Sequence, residues 1–287
     1  METCRTRSVV VTGASSGLGR ACALHLARMG YEVFAGVRSV ADSNTLRDEA
    51  PQCLTPILLD VTQRDTISTA VLEVERSVNE RGLSALVNNA GIVSIGPLEL
   101  ITVADFRRQF DVNVFGVVAV TQAFLPLLRK ASGRIVNIGS ASGFCALPFI
   151  SAYAASKFAL EAITDSMRIE LHPWGIHVSI VDPGAIATPM FDKNLVALDS
   201  LERTMSMEDV ARYGANLQAL RKRVRESPQG AMSADAAARI VAKALTARHP
   251  KPRYLVGRGA RMLMLLEHLP VRLRDWLLLK YLKSKRS

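Results

Sequence analysis

The chain alternates between short apolar runs rich in β-branched residues and longer stretches in which apolar residues recur with a helical period. The short runs indicate strands, and the longer stretches indicate amphipathic helices. Strands are predicted at 9–11, 32–37, 54–59, 85–87, 134–138, 177–181 and 253–256. Helices are predicted at 18–29, 62–80, 102–130, 152–171 and 234–247, and Pro126 is expected to kink the last turn of the third.

This alternation is typical of βαβ units, which form a parallel sheet covered by helices on both faces. The predicted fold class is therefore α/β, with a single doubly wound Rossmann domain built on the seven predicted strands. We expect this domain to span residues 1–256 and to contain a lid at about 188–232, where the alternation stops. Residues 257–287 are expected to form a helical C-terminal extension.

Basic residues are concentrated at the C-terminal end of the chain. The net charge is +10, but residues 251–287 alone contain ten Lys or Arg and two acids, which is +8. A nucleic-acid-binding protein usually carries its basic surface on the folded domain, so this distribution argues against nucleic acid as a partner. A basic tail that also contains Trp276 and Tyr281 favours contact with an acidic membrane surface.

Composition and cysteine spacing indicate a globular protein in a reducing compartment. Apolar residues make up 49% of the chain and charged residues 22%, which is close to the globular average. No apolar run reaches the roughly 18 residues of a membrane-spanning helix, and the polar start of the chain is unlike a signal peptide. The four cysteines are scattered, which is typical of free thiols. We expect a cytoplasmic protein, peripheral to a membrane at most, without a metal site.

A glycine-rich segment joins the first predicted strand to the first predicted helix. A helix N-terminus offers unpaired N–H groups and a partial positive charge, which suit a pyrophosphate. Glycines let the backbone turn tightly and approach such a ligand closely. The segment therefore predicts a dinucleotide site, and it reads Thr12-Gly13-Ala14-Ser15-Ser16-Gly17-Leu18-Gly19.

Taken with three later motifs, this segment resembles the short-chain dehydrogenase/reductase family. The three motifs are Asn88-Asn89-Ala90-Gly91, Tyr153-Ala154-Ala155-Ser156-Lys157 and Pro183-Gly184. The resemblance covers residues 7–190 in order and spacing, and the chain looks most like the steroid and retinol dehydrogenase branch. It implies an oxidoreductase that interconverts alcohols and carbonyls with NAD(P). We expect a homo-oligomer, either a dimer or a tetramer.

Four residues are candidates for catalysis. Tyr153 and Lys157 lie one helical turn apart on one face, where an ammonium would lower the pKa of the phenol. The resemblance implies that Tyr153 is the acid/base at the substrate oxygen and that Lys157 binds the nicotinamide ribose. Ser140, just after the fifth strand, would hydrogen-bond the substrate oxygen, with Ser142 as the alternative. The resemblance also implies that Asn113 holds a water in a proton relay to the lysine.

The remaining cofactor contacts also come from the resemblance. Asp60, followed by Val61, ends the third strand and matches the position that contacts the adenine. Asn89, Ala90 and Gly91 would line the adenosine side, and the Asn motif would also brace the sheet. Residues after the sixth strand would flank the nicotinamide: Pro183, Gly184 and Thr188. The pyrophosphate would lie on Gly13, Ser15, Ser16, Gly17, Leu18 and Gly19.

The end of the second strand predicts the choice of cofactor. NAD-preferring proteins usually have an acidic residue there, bonded to the ribose hydroxyls. Here Val37 stands in that place and Arg38 follows. An arginine suits a 2′-phosphate, because its guanidinium makes charge-assisted bonds to phosphate oxygens. The sequence therefore predicts NADP(H) rather than NAD(H).

Apolar residues on the expected substrate side favour a lipophilic substrate of steroid, retinoid or long-chain type. They cluster at 190–213 and at 144–150, and they include several methionines, which suit ligands of variable shape. The alternative is that they only pack the lid on the core. We predict an active NADP(H)-dependent oxidoreductase. The alternative, a catalytically silent NADP(H)-binding regulatory protein, is disfavoured because all four candidate catalytic residues are present.

The C-terminal extension allows three interpretations. Its apolar runs at 262–266 and 276–279 are too short to span a bilayer, and basic residues lie beside Trp276 and Tyr281. The segment is thus an interfacial membrane anchor, a dimer contact, or a helix packed over the substrate entrance.

Overall fold

The structure is a computed structural model, and it describes residues 7–49 and 52–283, apart from the side chains of Pro228 and of 281–283. The strands are β1 Ser8–Val11, β2 Glu32–Val37, β3 Leu54–Leu58, β4 Ala85–Asn88, β5 Arg134–Ile138, β6 His177–Pro183, β7 Ile186–Ala187, β8 Met232–Ser233 and β9 Arg253–Val256. The helices are α1 Gly17–Arg28, α2 Val40–Glu49, α3 Arg64–Val78, α4 Val103–Phe110, α5 Gly116–Lys130, α6 Ser151–Glu170, α7 Met190–Thr204, α8 Met207–Glu226, α9 Ala234–Thr246, α10 Arg258–Glu267 and α11 Val271–Lys283.

In the described part of the chain, the main sheet has seven strands in the order β3-β2-β1-β4-β5-β6-β9, and every neighbouring pair is parallel. The chain runs outward from β1 to β3, returns to β4 beside β1, and then runs outward in the other direction. The strand order therefore reverses between β1 and β4, and ligands of doubly wound sheets bind at the carboxyl ends of the strands at such a point. The predicted Rossmann fold is confirmed.

Two apolar layers cover the sheet, because successive residues of a strand point to opposite faces. Val9 and Val11 of β1 pack in a cluster with residues of α1 and α9, such as Val241. Val10 packs in the opposite cluster with residues of α3 and α5, such as Phe124. The central strands, such as β1 and β4, are thus buried on both sides, which explains why they read as continuous apolar runs.

The predicted helix at 102–130 is one continuous helical rod with a change of winding in its middle. The segment Asp111–Phe115 between α4 and α5 is a π-helix, and α5 continues through Pro126 to Lys130. Within the described residues, this rod is the one helix long and apolar enough to cross a membrane by length and composition. Half of its most apolar window is buried inside the fold, where it covers the sheet.

Several elements were not predicted. The polar helix α2 has a weak apolar face, with Ser43 and Leu46 as its buried residues. Helices α7 and α8 occupy the predicted lid region, and the short parallel pair β7 and β8 joins its two ends to the body. By contrast, the helical extension was predicted, and α10 and α11 form it directly after β9.

The cysteines differ from one another. Cys22 and Cys145 are buried free thiols, as expected. Cys53 is disulfide-bonded, so the interpretation of all four cysteines as thiols is wrong at this residue. Cys4 lies outside the described residues. The argument from free thiols to a reducing compartment therefore does not hold for the whole chain.

Candidate active site

The glycine-rich segment makes a tight turn from β1 into α1. Gly13 and Gly17 have φ of +65° and +58°, a left-handed conformation that only glycine adopts without strain. A Cβ on Gly19 would collide with the carbonyl oxygen of Gly13 and with the side-chain amide of Asn89. The turn is therefore closed on itself, and a larger residue at Gly19 would force its backbone apart.

Asn89 ties this turn to the end of β4. Its side-chain amide donates to the carbonyl oxygens of Thr12 and Gly13, at 2.9 and 3.1 Å. In return the Thr12 hydroxyl accepts from the backbone N–H groups of Asn89 and Ala90, both at 3.0 Å. The predicted bracing role of the Asn motif is therefore visible in the structure, and it acts on the turn as well as on the sheet.

The strand order reverses between β1 and β4, so the ligand crevice of this doubly wound sheet is expected between this turn and the segment after β6. Among the described residues, no side chain caps the first turn of α1, so its N–H groups remain available to an anion. Thr188 lies across from Gly17, where an added Cβ would sit 3.2 Å from the Thr188 Cβ. Ser15 and Ser16 are half-buried in the turn, and Leu18 is buried beneath it. Such a crevice suits a dinucleotide pyrophosphate.

The outer end of the crevice is formed by β2 and β3. The backbone N–H of Ala14 donates to the Gly36 carbonyl at 2.8 Å, which holds the turn against the end of β2. Val37 is buried, whereas Arg38 is exposed and makes no ion pair with the described residues. The Asp60 carboxylate accepts from the backbone and hydroxyl of Thr62 at 2.9 and 2.8 Å, so it is engaged in its own turn.

Val61, next to Asp60, is buried against α5. A Cβ on Gly116 would approach the Val61 side chain to 2.6 Å. Val61 therefore packs in the core with its side chain, so that it can offer a cofactor only its backbone.

The candidate catalytic residues come together at the carboxyl ends of β5 and β6 and the start of α6. Ser140 follows β5, and its hydroxyl lies close enough to the Tyr153 phenol to favour the phenolate. The same hydroxyl accepts from the Ser142 backbone N–H at 3.1 Å. Lys157 lies with its Nζ 5.8 Å from the centre of the Tyr153 ring. Ser140, rather than Ser142, is therefore the serine that faces the tyrosine.

Burial governs the ionisation of both residues on α6. Burial raises the pKa of Tyr153 overall. The hydrogen bond from the Ser140 hydroxyl opposes this rise, and the negative charge of Asp182 adds to it. Burial lowers the pKa of Lys157 to about 8, against the charges of Asp182 and Glu161. The Lys157 ammonium donates to the Ile138 carbonyl at 2.7 Å. The expected lowering of the tyrosine pKa is therefore wrong for this structure, because desolvation of the phenol outweighs the hydrogen bond from Ser140.

Asn113 lies in the π-helical segment and is buried. Its side chain accepts from the Ile92 backbone N–H at 2.9 Å and donates to the Ile92 carbonyl and the Ser156 hydroxyl, both at 3.1 Å. Ser156 in turn donates to the Tyr153 carbonyl at 2.7 Å. Asn113 thus connects the segment after β4 to the helix that holds the tyrosine. The π-helical segment positions the Asn113 side chain between them.

The sequence analysis missed a charged cluster behind Ser140 and Lys157. Asp182, Glu161 and Arg253 lie on β6, α6 and β9, and they meet below the catalytic residues. Two signals could have found it: Asp182 is an acid in an otherwise apolar strand, and Glu161 lies one turn beyond Lys157.

The lid packs on the segment that precedes Tyr153. Phe149 and Ile150 lie in one apolar cluster with Ile95 and residues of α7 and α8, such as Leu198 and Leu217. Phe149 has a φ of +70°, an unusual conformation for a bulky residue, and its carbonyl accepts from the Gly96 N–H at 2.8 Å. Many of the apolar lid residues therefore pack against one another, while Met190 and Met207 are exposed.

A cavity of about 400 Å³ lies beside this cluster, between the loop after β4, the start of α4, and α7. Its lining is mixed, with apolar groups from Ile95, Ile101 and Leu201 and polar groups from Ser94, Asp105 and Arg108.

The C-terminal extension reaches the catalytic segment. Leu263, Met264 and Leu266 of α10 pack on Ala141, Phe144 and Cys145, which directly follow Ser140. A Cβ on Gly184 would lie 3.1 Å from the backbone nitrogen of Ala260. Helix α10 therefore supports the loop after β5 and the loop after β6. Most of the exposed apolar residues of the extension lie on α11.

Comparisons with known proteins agree with this geometry. The family described as short chain dehydrogenase matches residues 7–197. Retinol dehydrogenase 5 of Mus musculus is 37% identical over 279 residues, covering 93% of this chain and 86% of the relative. An NADPH-dependent 3-dehydrocapnine reductase of Ornithobacterium rhinotracheale is 33% identical, covering 97% and 98%. The solved structure of a short-chain dehydrogenase from Streptomyces avermitilis superposes with a TM-score of 0.75 at 28% identity, covering 96% and 97% of the two chains.

The matched segment contains the glycine turn, the Asn motif, Ser140, Tyr153 and Lys157, and the relatives extend the match over nearly the whole chain. The chain therefore belongs to the short-chain dehydrogenase/reductase family, in its retinol and steroid dehydrogenase branch, and is an oxidoreductase that acts on CH–OH groups with NAD(P).

Proposed function

We propose that the protein is an NADP(H)-dependent oxidoreductase that interconverts an alcohol and a carbonyl on a lipophilic substrate. The observation that carries the proposal is the meeting of Ser140, Tyr153 and Lys157 beside the crevice where the strand order reverses. The catalytic domain is the Rossmann part of the chain, residues 1–256, and 257–287 is an extension to it.

The residues of the crevice fit a dinucleotide. Gly13 and Gly17 allow the close turn, and the uncapped N–H groups of α1 provide donors to a pyrophosphate. On the proposal, Pro183, Gly184 and Thr188 would contact the nicotinamide side of the cofactor, and Asn89, Ala90 and Gly91 its adenosine side. When bound, the nicotinamide supplies or accepts a hydride.

The catalytic residues then handle the proton. The substrate oxygen hydrogen-bonds the Ser140 hydroxyl and the Tyr153 phenol. Burial raises the pKa of Tyr153, so the phenol is protonated near neutral pH and can donate its proton to a carbonyl oxygen during reduction. In the reverse direction the phenolate accepts the alcohol proton, and the positive charge of Lys157 favours that phenolate. Asn113 positions α6 and hence the tyrosine.

Arg38 supports the choice of NADP(H). It is exposed at the end of β2, next to the strand end that the glycine turn contacts, and it has no ion-pair partner among the described residues. A guanidinium in that setting can bind a 2′-phosphate, and the preceding residue is Val37 rather than an acid that would repel the phosphate. The NADPH dependence of the 3-dehydrocapnine reductase agrees with this choice.

The apolar surroundings of Tyr153 support a lipophilic substrate. Phe149 and Ile150, shortly before Tyr153, pack with the lid helices in one apolar cluster, and the cavity beside this cluster is partly apolar. Retinol, the substrate named for one relative, is an apolar alcohol.

The function is tested with purified protein and a panel of carbonyls: all-trans-retinal, a 17-ketosteroid, a long-chain aldehyde and, as polar control, an aldose. Each is assayed with NADPH and with NADH by the loss of nicotinamide absorbance. We expect turnover of at least one apolar carbonyl, better with NADPH. Turnover of the aldose alone, or none with any member, would contradict the proposal.

We also propose that the outer face of α11 contacts an anionic membrane surface. Leu273, Trp276 and Leu279 are about half exposed, and Lys280 lies with its Nζ 5.1 Å from the Trp276 ring. Exposed apolar groups beside bases are typical of interfacial helices. Homo-oligomerisation stays a prediction.

Vesicle co-sedimentation tests this contact. Replacing Leu273, Trp276 and Leu279 by Ser should remove binding to vesicles with anionic lipid, while Val196→Ser, an exposed apolar residue of α7, should not. A cut at Gly257 is unsuitable, because α10 packs on the catalytic segment. If the unaltered protein stays in the supernatant at low salt, the membrane contact is wrong, and its mass in solution then tests a dimer contact instead.

A further inference from the structure

Asp182 is a fully buried acid that holds the backbone at Ser140. One of its carboxyl oxygens, Oδ1, accepts the Ser140 backbone N–H at 3.1 Å. The same oxygen occupies the space that a Cβ on Gly139 would need. The Asp182 carboxyl therefore fills a gap that a glycine leaves in the catalytic loop, and it fixes where Ser140 stands.

The second oxygen of Asp182 meets another buried acid. Glu161 lies one turn after Lys157 on α6, and its side chain packs against Gly143 of the loop after Ser140. Asp182 Oδ2 and Glu161 Oε1 are both buried, and neither has a hydrogen-bond partner among the described residues. The two carboxyls hydrogen-bond each other once one of them holds a proton. Two buried carboxylates in contact repel each other, so a proton shared between them relieves the repulsion and gives both oxygens a hydrogen bond.

Two cations lie near this pair. Arg253 of β9 contacts Glu161 through Nη2, and its Nε lies 3.4 Å from Asp182 Oδ2. Its guanidinium also lies 5.7 Å from the ring centre of Phe144. Lys157 faces the pair from α6. The other titratable groups that sense the pair are Tyr153 and Asp165, both on α6.

The charge of the pair matters for Lys157. Burial favours the neutral amine, and the negative charges of Asp182 and Glu161 oppose it. A pair that shares one proton has a net charge of −1, which favours the ammonium form of Lys157. Arg253 adds a second positive charge beside both acids.

We propose that Asp182 and Glu161 form a proton-sharing pair that positions Ser140 and keeps Lys157 cationic, so that Asp182 is a positioning residue for the reaction. This inference rests on the proposed function, because it gives Ser140 and Lys157 their catalytic meaning. Asp182 touches neither substrate nor cofactor, and it acts through the loop and the lysine.

Amide variants separate charge from hydrogen bonding. In Asp182→Asn the amide oxygen still accepts from Ser140 and the NH₂ takes the place of the shared proton, so the pair keeps a charge of −1. In the double variant Asp182→Asn/Glu161→Gln the hydrogen bonds are largely kept but the negative charge is gone. The single variant is thus the matched control for the double, and Glu170→Gln, exposed on the same helix, controls for the loss of any acid.

The first readout is the pKa of Lys157, followed by NMR of protein with ¹³Cε-labelled lysine, the signal being assigned by its loss in Lys157→Met. Removing a charge at this range shifts a neighbouring pKa by about one unit or more. We expect the double variant to lower the pKa of Lys157 by about that amount relative to Asp182→Asn and to Glu170→Gln. An unchanged pKa in a folded double variant would overturn the electrostatic part of the proposal.

The second readout is turnover of all-trans-retinal with NADPH. Asp182→Asn should stay within about threefold of the unaltered protein, whereas Asp182→Ala, which releases the Ser140 backbone, should fall by about 10²-fold, since small misplacements of a reacting group have effects of that size. Equal turnover of the Ala and Asn variants would overturn the positioning part. If Asp182→Ala does not fold, the ¹³C result on the amide variants still decides the electrostatic part, and Asp182→Cys, close in volume to Asp and at most a weak hydrogen-bond acceptor, is measured in its place.

Tyr153→Phe is measured in parallel. If it retains activity, the proposed catalytic site is wrong, whatever the lysine does. If it is inactive and the pKa of Lys157 is unmoved by the double variant, the site stands and the inference about the pair alone is wrong.

Discussion

The two sides of the crevice are built by different means. On the cofactor side, β1 and β4 are joined by backbone and neutral hydrogen bonds, such as those of Asn89 and Thr12 to the glycine turn. On the catalytic side, β5, β6 and α6 are joined by buried ionisable groups, chiefly Asp182 and Lys157. The first side depends on the shape of the backbone, so it should respond to added volume but hardly to pH. The second depends on charges in a dry interior, so it should respond to pH and to neutral substitutions.

The largest expected effect is on the catalytic side. Tyr153→Phe keeps the ring but removes the acid/base, whose contribution is about 10²–10⁴ in rate. We expect kcat to fall by that factor while NADPH binding, measured by fluorescence titration, changes little. Tyr31→Phe, a buried tyrosine of the core, is the matched control and should keep its activity. A fully active Tyr153→Phe enzyme would show that Tyr153 is not the acid/base and that the catalytic site lies elsewhere.

Arg38 tests the outer end of the cofactor side. Arg38→Ala should weaken NADPH binding by about 10- to 100-fold, the loss of one charge-assisted pair, and leave NADH binding almost unchanged. Val37→Asp added to it should move the preference further toward NADH, because a carboxylate repels the 2′-phosphate. Arg47→Ala, exposed on α2, controls for the loss of a positive charge. An unaltered ratio of the two affinities would show that Arg38 does not contact the cofactor.

Gly19 tests whether shape alone holds the glycine turn. A Cβ at Gly19 would collide with the Gly13 carbonyl and the Asn89 amide, so Gly19→Ala should lower the free energy of unfolding by about 1–3 kcal/mol and weaken both cofactors alike. Urea unfolding and cofactor titration measure the two effects. Gly214→Ala, in α8, is the matched control: its Cβ would meet only Val210 at 3.6 Å, and the change should stabilise by up to about 1 kcal/mol. A neutral Gly19→Ala change would show that the turn has room to relax.

The smallest expected effect is the pH dependence of stability on the catalytic side. Burial and Glu161 raise the pKa of Asp182, so the folded state binds more protons than the unfolded state above the ordinary pKa of an aspartate. The free energy of unfolding should therefore fall as the pH rises from about 4 toward about 8, by at most about 1.4 kcal/mol per pH unit from this group. Asp182→Asn should flatten that fall, and Asp48→Asn, exposed on α2, should not. Parallel pH curves for all three proteins would show that Asp182 is not a raised acid.

The cofactor side could be predicted from the sequence to a large extent. Glycines with left-handed φ and the Asn motif occur in contiguous segments, and each meets its partner through the strand order that the apolar alternation already implies. Helix α2 could not be predicted, because it buries only Ser43 and Leu46 and so has almost no apolar period. The position of the lid was predicted, but its division into the two helices α7 and α8 was not, since their apolar residues pack mainly on one another.

By itself, the sequence determined the doubly wound sheet, the crevice and the residues that meet there, because these depend on local periodicity and on motifs whose spacing is set by the strands. Only the tertiary structure decided the protonation states of the catalytic residues. The sequence predicted that Lys157 lowers the pKa of Tyr153, but burial raises it, and the acids that sustain the lysine are Glu161, one turn along the helix, and Asp182, from a different strand. Desolvation and the distances between charges depend on the packing of distant segments, so no spacing along the chain encodes them.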